Sequence, residues 1–186
     1  MSEMAAPLPK GLDRRSYYAW ALAQPQGRFE LHAGEVIAMA PERVRHAQAK
    51  GRAYRLLGDA IAKAGVRCEA LPDGVSVEVD EHTVFEPDVV VNCGALDLDG
   101  LAAPNPVIIV EVTSPSNSRV DLTVKFGEYF RLPSVRHYVI IQLAQRRVLH
   151  HRRTENGTIE STILGSGSIL LDPPGITVQA EDLLGP

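Results

Sequence analysis

A mixed α/β fold, of the α+β kind, is what the sequence predicts, and three observations carry that expectation. A run of branched apolar residues at 107–112, "VIIVEV", reads as a strand buried on both faces. Stretches with helical and strand-like patterning interleave along the chain, but not as a regular βαβ repeat. Short turn signals punctuate them at Ala33-Gly34, Pro72-Asp73-Gly74 and Asp80-Glu81. Together they predict a central mixed sheet flanked by helices, preceded by an N-terminal helix and hairpin.

Taken in order, Asp13 is placed to N-cap a short helix over "RRSYYAWALA". "RFELHAGEVIAMA" alternates around Ala33-Gly34 and predicts a hairpin. A longer helix opens at Pro41 and runs to about Lys63, with Val44, Ala47, Tyr54, Leu57 and Ile61 as its apolar positions and Gly65 as its stop. Three strands follow: "VRCEA", "GVSVEV" and "TVFEPDVVVNC". After the loop "DLDGLAAPNP" comes the central strand "VIIVEVTS", then a helix from about Ser118 to Arg131 and the strand "RHYVIIQL". "RRVLHHRR" and "GTIESTIL" predict a further hairpin, and the tail "PPGITVQAEDLL" reads as irregular.

The 186 residues suit one domain, residues 1–186, with a sizeable core. Net charge is −4, which argues against a protein that coats nucleic acid without specificity but leaves room for a local basic face. Two clusters offer one. Arg43, Arg45, His46, Lys50, Arg52 and Arg55 lie in the second helix. Arg146, Arg147, His150, His151, Arg152 and Arg153 lie in the late hairpin. A solvated surface is the alternative for each. No stretch has the apolar length of a membrane span, and "MSEMAAPLPKGLDRR" has no apolar segment of the signal-peptide kind. The expectation is a cytoplasmic protein with no membrane partner, its Cys68 and Cys93 reduced core thiols. The sequence has no GxGxxG, no Walker loop, no HExxH, no CxxC and no GxSxG, so dinucleotide, P-loop, zincin and serine-hydrolase chemistries are set aside.

One residue does not belong to the pattern around it. Glu111 puts a carboxylate inside the most apolar strand, where it is costly unless paired or bound to a metal. Alternation sets Ile109, Glu111 and Thr113 on one face. Asp88, at the start of the apolar run after Pro87, has a similar setting. If the two strands are neighbours, two hard carboxylates meet at one end of the sheet, a place suited to Mg²⁺ with phosphate as a further ligand. Lys125 in the next helix offers the positive charge that phosphodiester chemistry needs, with Asp121 one turn before it and Tyr129 one turn after. The alternatives stay open. Asp121 and Lys125 suit a surface pair worth about 0.3–0.5 kcal/mol. Glu111 suits a buried ion pair, and Asp88 a strand-end carboxylate bound to backbone N–H groups.

The ordered set "FELHAGEVIAMAP", His46, "EPDVVV", "PVIIVEVTSPSNS" and "DLTVKFGEYFRLPSVRHYVI" resembles the Uma-type family of restriction-endonuclease-like proteins, a branch of the PD-(D/E)xK nuclease superfamily. The resemblance runs from about Phe29 to Val148. It implies a restriction-endonuclease-like fold and a metal-dependent endonuclease that hydrolyses DNA with Mg²⁺ or Mn²⁺. It implies Asp88 and Glu111 as metal ligands and Glu30 as a further acid of the catalytic set. The superfamily's lysine, two residues after the middle acid, is here Thr113. The resemblance moves that role to Lys125, so the catalytic set is Asp88, Glu111, Lys125 and Glu30. Gln142 stands where the family often has an aspartate. Arg43, Arg45, His46 and Lys50 are the candidate DNA contacts, and Ser116 or Ser118 the candidate cap of the helix that carries Lys125. A homodimer would suit cutting both strands. Two other functions fit the residues: a catalytically silent nuclease-fold module for partner binding or self-assembly, and a metal-dependent hydrolase of a small phosphoester. Binding of a divalent ion separates the silent module from the other two.

Overall fold

The structure is a computed structural model that describes residues 7–113 and 119–186, apart from the side chains of residues 119–121. Helix α1 (Arg14–Leu22) starts where Asp13 Oδ1 accepts the Ser16 N–H at 2.7 Å. Strands β1 (Phe29–His32) and β2 (Glu35–Ala38) follow as an antiparallel hairpin. Ala33 and Gly34 both take positive φ, 49° and 81°, as a two-residue turn with the twist of its strands requires. Helix α2 (Val44–Ala64) ends on Gly65 in the left-handed region, its N–H returned to Ile61 and Ala62 carbonyls. Then come β3 (Cys68–Pro72), β4 (Val77–Asp80), β5 (Thr83–Phe85), β6 (Val89–Cys93) and β7 (Pro106–Thr113). Helix α3 (Arg119–Tyr129) leads to β8 (His137–Gln142), β9 (Arg147–Arg153) and β10 (Ile159–Leu164). The chain closes with β11 (Ser168–Leu171), β12 (Ile176–Gln179) and α4 (Ala180–Leu184).

The main sheet has six strands in the order β10-β9-β8-β7-β6-β3. Only β7 and β8 pair in parallel, with α3 as the connection that parallel neighbours require. A second sheet runs β2-β1-β5-β4, and β11 pairs with β12. All eight residues of β7 are buried. Ile108, Val110 and Val112 meet Ala49, Ala53, Leu57 and Ile61 of α2, together with the C-terminal hairpin and α4. Ile109 packs on the other face with Phe85, Tyr129, Tyr138 and Ile140. Each fully buried Val or Ile of this kind contributes about 1.5–3 kcal/mol. Strand β7 is thus held from both sides, and α2 and α3 approach its end from opposite faces.

Four features differ from the sequence-based expectation. "TVFEPDVVVNC" forms two strands in two sheets, because Pro87 has no N–H to donate and interrupts the ladder between β5 and β6. Helix α2 buries Leu57 and Ile61 as expected but not the other apolar positions. Val44 is 77 % exposed, Ala47 and Tyr54 are exposed, and the face against the sheet is Ala49, Ala53, Leu57 and Ile61. Small alanines permit close approach of helix and sheet, and a reading weighted by side-chain size passes over them. The tail is not irregular: Ile169, Leu171, Ile176 and Val178 alternate into the core from a hairpin, and Leu183 and Leu184 follow from α4. Cys68 and Cys93 are joined in a disulfide rather than held as thiols, since the register of edge strand β3 on β6 sets them opposite each other. Ser116 and Ser118, the candidate caps of α3, lie outside the described residues.

Candidate active site at the end of strand β7

Glu111 lies near the end of β7 on the face covered by α3. Lys125 and Tyr129, four residues apart on α3, share one face of that helix and both reach it. Lys125 Nζ is 3.2 Å from Glu111 Oε1, and the Tyr129 hydroxyl donates to the same oxygen at 3.0 Å. Glu30 arrives from β1 in the other sheet, with Oε1 2.8 Å from Lys125 Nζ. Glu30 Oε1 also accepts the Glu86 N–H at 2.8 Å. All four side chains are buried. Burial pushes the Glu111 carboxyl up to about 8; Lys125 opposes the rise, and the nearby Asp88 and Glu30 add to it. Burial, reinforced by Glu111 and Glu30, holds the Tyr129 phenol well above its usual range, so it stays a proton donor.

Asp88 begins the neighbouring strand. The register that pairs Val89 with Val110 sets Asp88 beside Glu111 one step further on. There β6 has ended, and Asp88 Oδ2 takes the Val112 N–H at 2.6 Å in place of a backbone carbonyl. The opposite side of Asp88 belongs to α2. Lys50 Nζ lies 3.3 Å from Asp88 Oδ1, 2.8 Å from Glu42 Oε1 and 2.6 Å from Asp73 Oδ2. Burial alone would lower the Lys50 ammonium, but the three carboxylates outweigh it and raise its pKa. His46 stands one turn before Lys50. Its Nδ1 is 2.6 Å from Glu42 Oε1, while Nε2 faces the Val112 carbonyl and lies 3.7 Å from Asp88 Oδ2. Arg28 ties the two halves together, with Nε 2.8 Å from Glu86 Oε1 and Nη1 2.6 Å from Asp73 Oδ2.

The structure therefore brings Glu30, Glu111 and Lys125 into one cluster and sets Asp88 next to it, toward α2. The side chain of Asp121 lies outside those described. Arg43 and Arg45 are exposed at the start of α2, close in sequence to His46. Lys50, expected among the surface contacts, is buried on acids instead. The spacing of His46 and Lys50, which share one face of α2, with Glu42 just before the helix, is the signal that could have located it. Gln142 sits beside Thr113 in register and accepts from Arg147 Nε at 2.6 Å. The second basic cluster is largely taken up locally: Arg153 donates to the carbonyls of Phe130, Leu132 and Val135, and Arg152 pairs with Glu160.

A donor set of this kind can take a hard cation. Asp88 and Glu111 supply carboxylate oxygens, and their side chains keep 7 % and 11 % of their surface exposed. Glu42, His46 and Asp88 also have ligand atoms within 4.8 Å of one another. Among the described residues, no helix is long and apolar enough to cross a membrane.

Comparison with known proteins gives this site a family. A protein of Synechocystis sp. described as uncharacterized is 28 % identical over 134 residues, which is 70 % of this chain and 75 % of that protein. A crystal structure described as "a putative nuclease belonging to DUF820" from Anabaena variabilis superposes with a TM-score of 0.70 at 15 % identity, covering 88 % of this chain and 94 % of the other. The mixed sheet and its helices are thus a fold already seen in a solved structure. The family Uma2, described as "Putative restriction endonuclease", matches residues 14–183, and the chain belongs to that family.

Proposed function

We propose that the protein is a divalent-cation-dependent endonuclease that hydrolyses phosphodiester bonds in DNA, with Mg²⁺ or Mn²⁺ as its ion. The observation that carries this is the charge balance at the end of β7. Glu30, Asp88 and Glu111 are buried there with Lys50 and Lys125, and the Glu111 carboxyl is pushed up to about 8. Burying a third carboxylate against two ammonium groups is expensive, so Glu111 holds a proton near neutral pH, and a cation would take that proton's place. Asp88 and Glu111 would hold such an ion, which when bound would supply an activated water and offset charge on the scissile phosphate.

The chain's own residues do the rest. Lys125, anchored by Glu30, brings a point charge to where negative charge grows on the phosphate. Tyr129 holds Glu111 Oε1 and so orients its carboxylate. Arg43 and Arg45 position the DNA backbone from the start of α2. A homodimer working in the cytoplasm goes with this reading. One observation favours the silent nuclease-fold module: each acid already has a lysine partner within 3.3 Å. Incubation of purified protein with supercoiled plasmid separates the two. The nuclease reading expects nicking with Mg²⁺ or Mn²⁺, none in chelator, and loss in Asp88→Asn and Lys125→Ala. Wild-type protein that leaves the plasmid intact with either ion, or cutting that both variants retain, overturns it.

A further inference from the structure

We infer that two copies of this chain join through strand β10, edge to edge and antiparallel, so that their six-stranded sheets become one continuous sheet. The inference goes beyond the nuclease reading and stands or falls apart from it. It begins with the two edges of the main sheet. Strand β3, at one edge, carries the exposed Glu69, ends at Pro72 and is bonded to β6 through Cys68. Charge and proline are what keep an edge from accepting another strand. Strand β10, at the other edge, reads "IESTIL", with no lysine, no proline and no bulge in its register with β9. Its one charge, Glu160, is held by Arg152 at 2.6 Å.

The backbone specifies the pairing. In an antiparallel ladder successive residues turn their N–H and C=O alternately to one neighbour and to the other. The Arg153 N–H goes to the Arg136 carbonyl on the β8 side, and the Thr154 N–H goes to the Thr158 carbonyl on the β10 side. Arg153, His151 and Leu149 therefore serve β8, and the residues opposite them, Ile159, Ser161 and Ile163, turn their N–H and C=O outward. None of the described residues bonds those groups. A second β10 satisfies all of them in one antiparallel register, with Ser161 opposite the partner's Ser161 and Ile159 opposite the partner's Ile163. A shift of two residues leaves an outer pair of groups unmet in each copy.

The side chains agree with that register. Facing residues lie on the same side of a sheet. Ile163 is 63 % exposed, and the partner's Ile159 covers it. Glu160 comes opposite the partner's Thr162, so no like charges meet. The contact is self-complementary about a two-fold axis and closes at two copies. One short strand from each copy makes a small interface, so the dimer is reversible. Strand β7 lies three strands in from β10, which sets the two copies of β7 seven strand spacings apart, about 34 Å, with their ends at opposite margins of the sheet. Each chain then carries its own complete site.

Sedimentation velocity over a concentration series, paired with cysteine cross-linking, tests this. Both native cysteines are in the disulfide, so Ser161→Cys adds a single thiol. The wild type should show a monomer–dimer equilibrium. Ile163→Lys should weaken it about ten-fold or more, by setting an ammonium against an isoleucine, and Ile163→Val should keep it. Under a mild oxidant Ser161→Cys should form a covalent dimer, and Thr162→Cys, on the opposite face and out of register, should not. If Ile163→Lys fails to fold, the two cysteine variants decide. A wild type that stays monomeric at every concentration overturns the inference. So does a dimer that Ile163→Lys leaves at full strength, or one that cross-links as well through Thr162→Cys as through Ser161→Cys. Loss of plasmid nicking leaves it standing, since its readout is mass.

Discussion

The six-stranded sheet buries polar side chains at both ends of its central strands, and the two ends solve the cost differently. At the start of β8, His137 and His150 stack with ring centroids 5.1 Å apart and share one contact of 2.9 Å between Nδ1 and Nε2. Burial lowers His137 to about 3 and His150 to about 4, so the pair stays neutral and forgoes charge. At the end of β7, Glu30, Glu111 and Asp88 are buried beside Lys50 and Lys125, and burial pushes the Glu111 carboxyl up to about 8. One end avoids charge with neutral rings. The other keeps ionisable acids and lysines together, and under the proposed function a cation completes it.

Removing a lysine should break this contrast most severely. Lys125→Met leaves Glu30 and Glu111 buried with no ammonium between them. Losing one partner of a buried pair costs about 3–5 kcal/mol, and the lower end applies because Glu111 can take up a proton. Denaturant melts in chelator should show a loss near 3 kcal/mol, partly restored by Mn²⁺. A loss below about 1 kcal/mol would mean that the acids do not depend on that charge.

The pH dependence of stability sharpens the comparison from both sides. Glu111 is raised from 4.5 to about 8 in the folded chain, so the folded state binds more protons than the unfolded one across that window. Stability in chelator is then full below about pH 4.5 as far as Glu111 is concerned, and is lost as pH rises through 8. The histidine pair acts oppositely. Its folded values lie below 6.5, so its contribution is present above 6.5 and is lost as pH falls toward 4 and 3. Melts across pH 4 to 9 should therefore fall away on both limbs, by a few kcal/mol each. Glu111→Gln should flatten the alkaline limb alone, and so should saturating Mn²⁺ with the wild type. An alkaline limb that persists in Glu111→Gln would assign it to another group.

A smaller effect is expected from Tyr129→Phe. It removes one donor from Glu111 Oε1 but leaves Lys125 in place, at a cost of about 1–2 kcal/mol. Tyr17→Phe, which loses a hydroxyl bond to the Phe29 carbonyl but removes no donor from Glu111, is the comparator. Both variants should melt earlier, and only Tyr129→Phe should also weaken Mn²⁺ binding. The least effect on stability, within about 0.5 kcal/mol, is expected for Arg43→Ala and Arg45→Ala, both exposed. Each should weaken DNA binding uniformly across sequences and reduce the salt slope by about one.

Much of the fold was legible because its strongest signals are local. The buried strand at 107–112, the Asp13 cap, the Ala33-Gly34 turn and the Gly65 stop depend on neighbours in sequence, and the structure has each of them. Glu111 and Asp88 were visible for the same reason, as carboxylates in apolar runs. Lys125 with Tyr129 was visible through helical spacing. What escaped depends on register or on helix rotation. The Cys68–Cys93 bond needs the pairing of β3 with β6, and Lys50 needs the rotation of α2 that its small alanines allow. Glu42 carries no signal of its own in the sequence, and only its contacts with His46 and Lys50 place it beside the acids. Glu30 was suggested by family resemblance alone, since nothing in "FELHAGE" tells that its carboxylate crosses to another sheet.

Calorimetric titration of Mn²⁺ and Mg²⁺ into the chelator-treated protein at pH 6 and pH 8 tests the central claim most directly. The account predicts one ion per chain, with protons released on binding and tighter binding at pH 8, because the ion competes with the proton on Glu111. Binding should be lost in Asp88→Asn with Glu111→Gln. No binding at either pH, or the same binding in that double variant, would contradict a cation site at the end of β7.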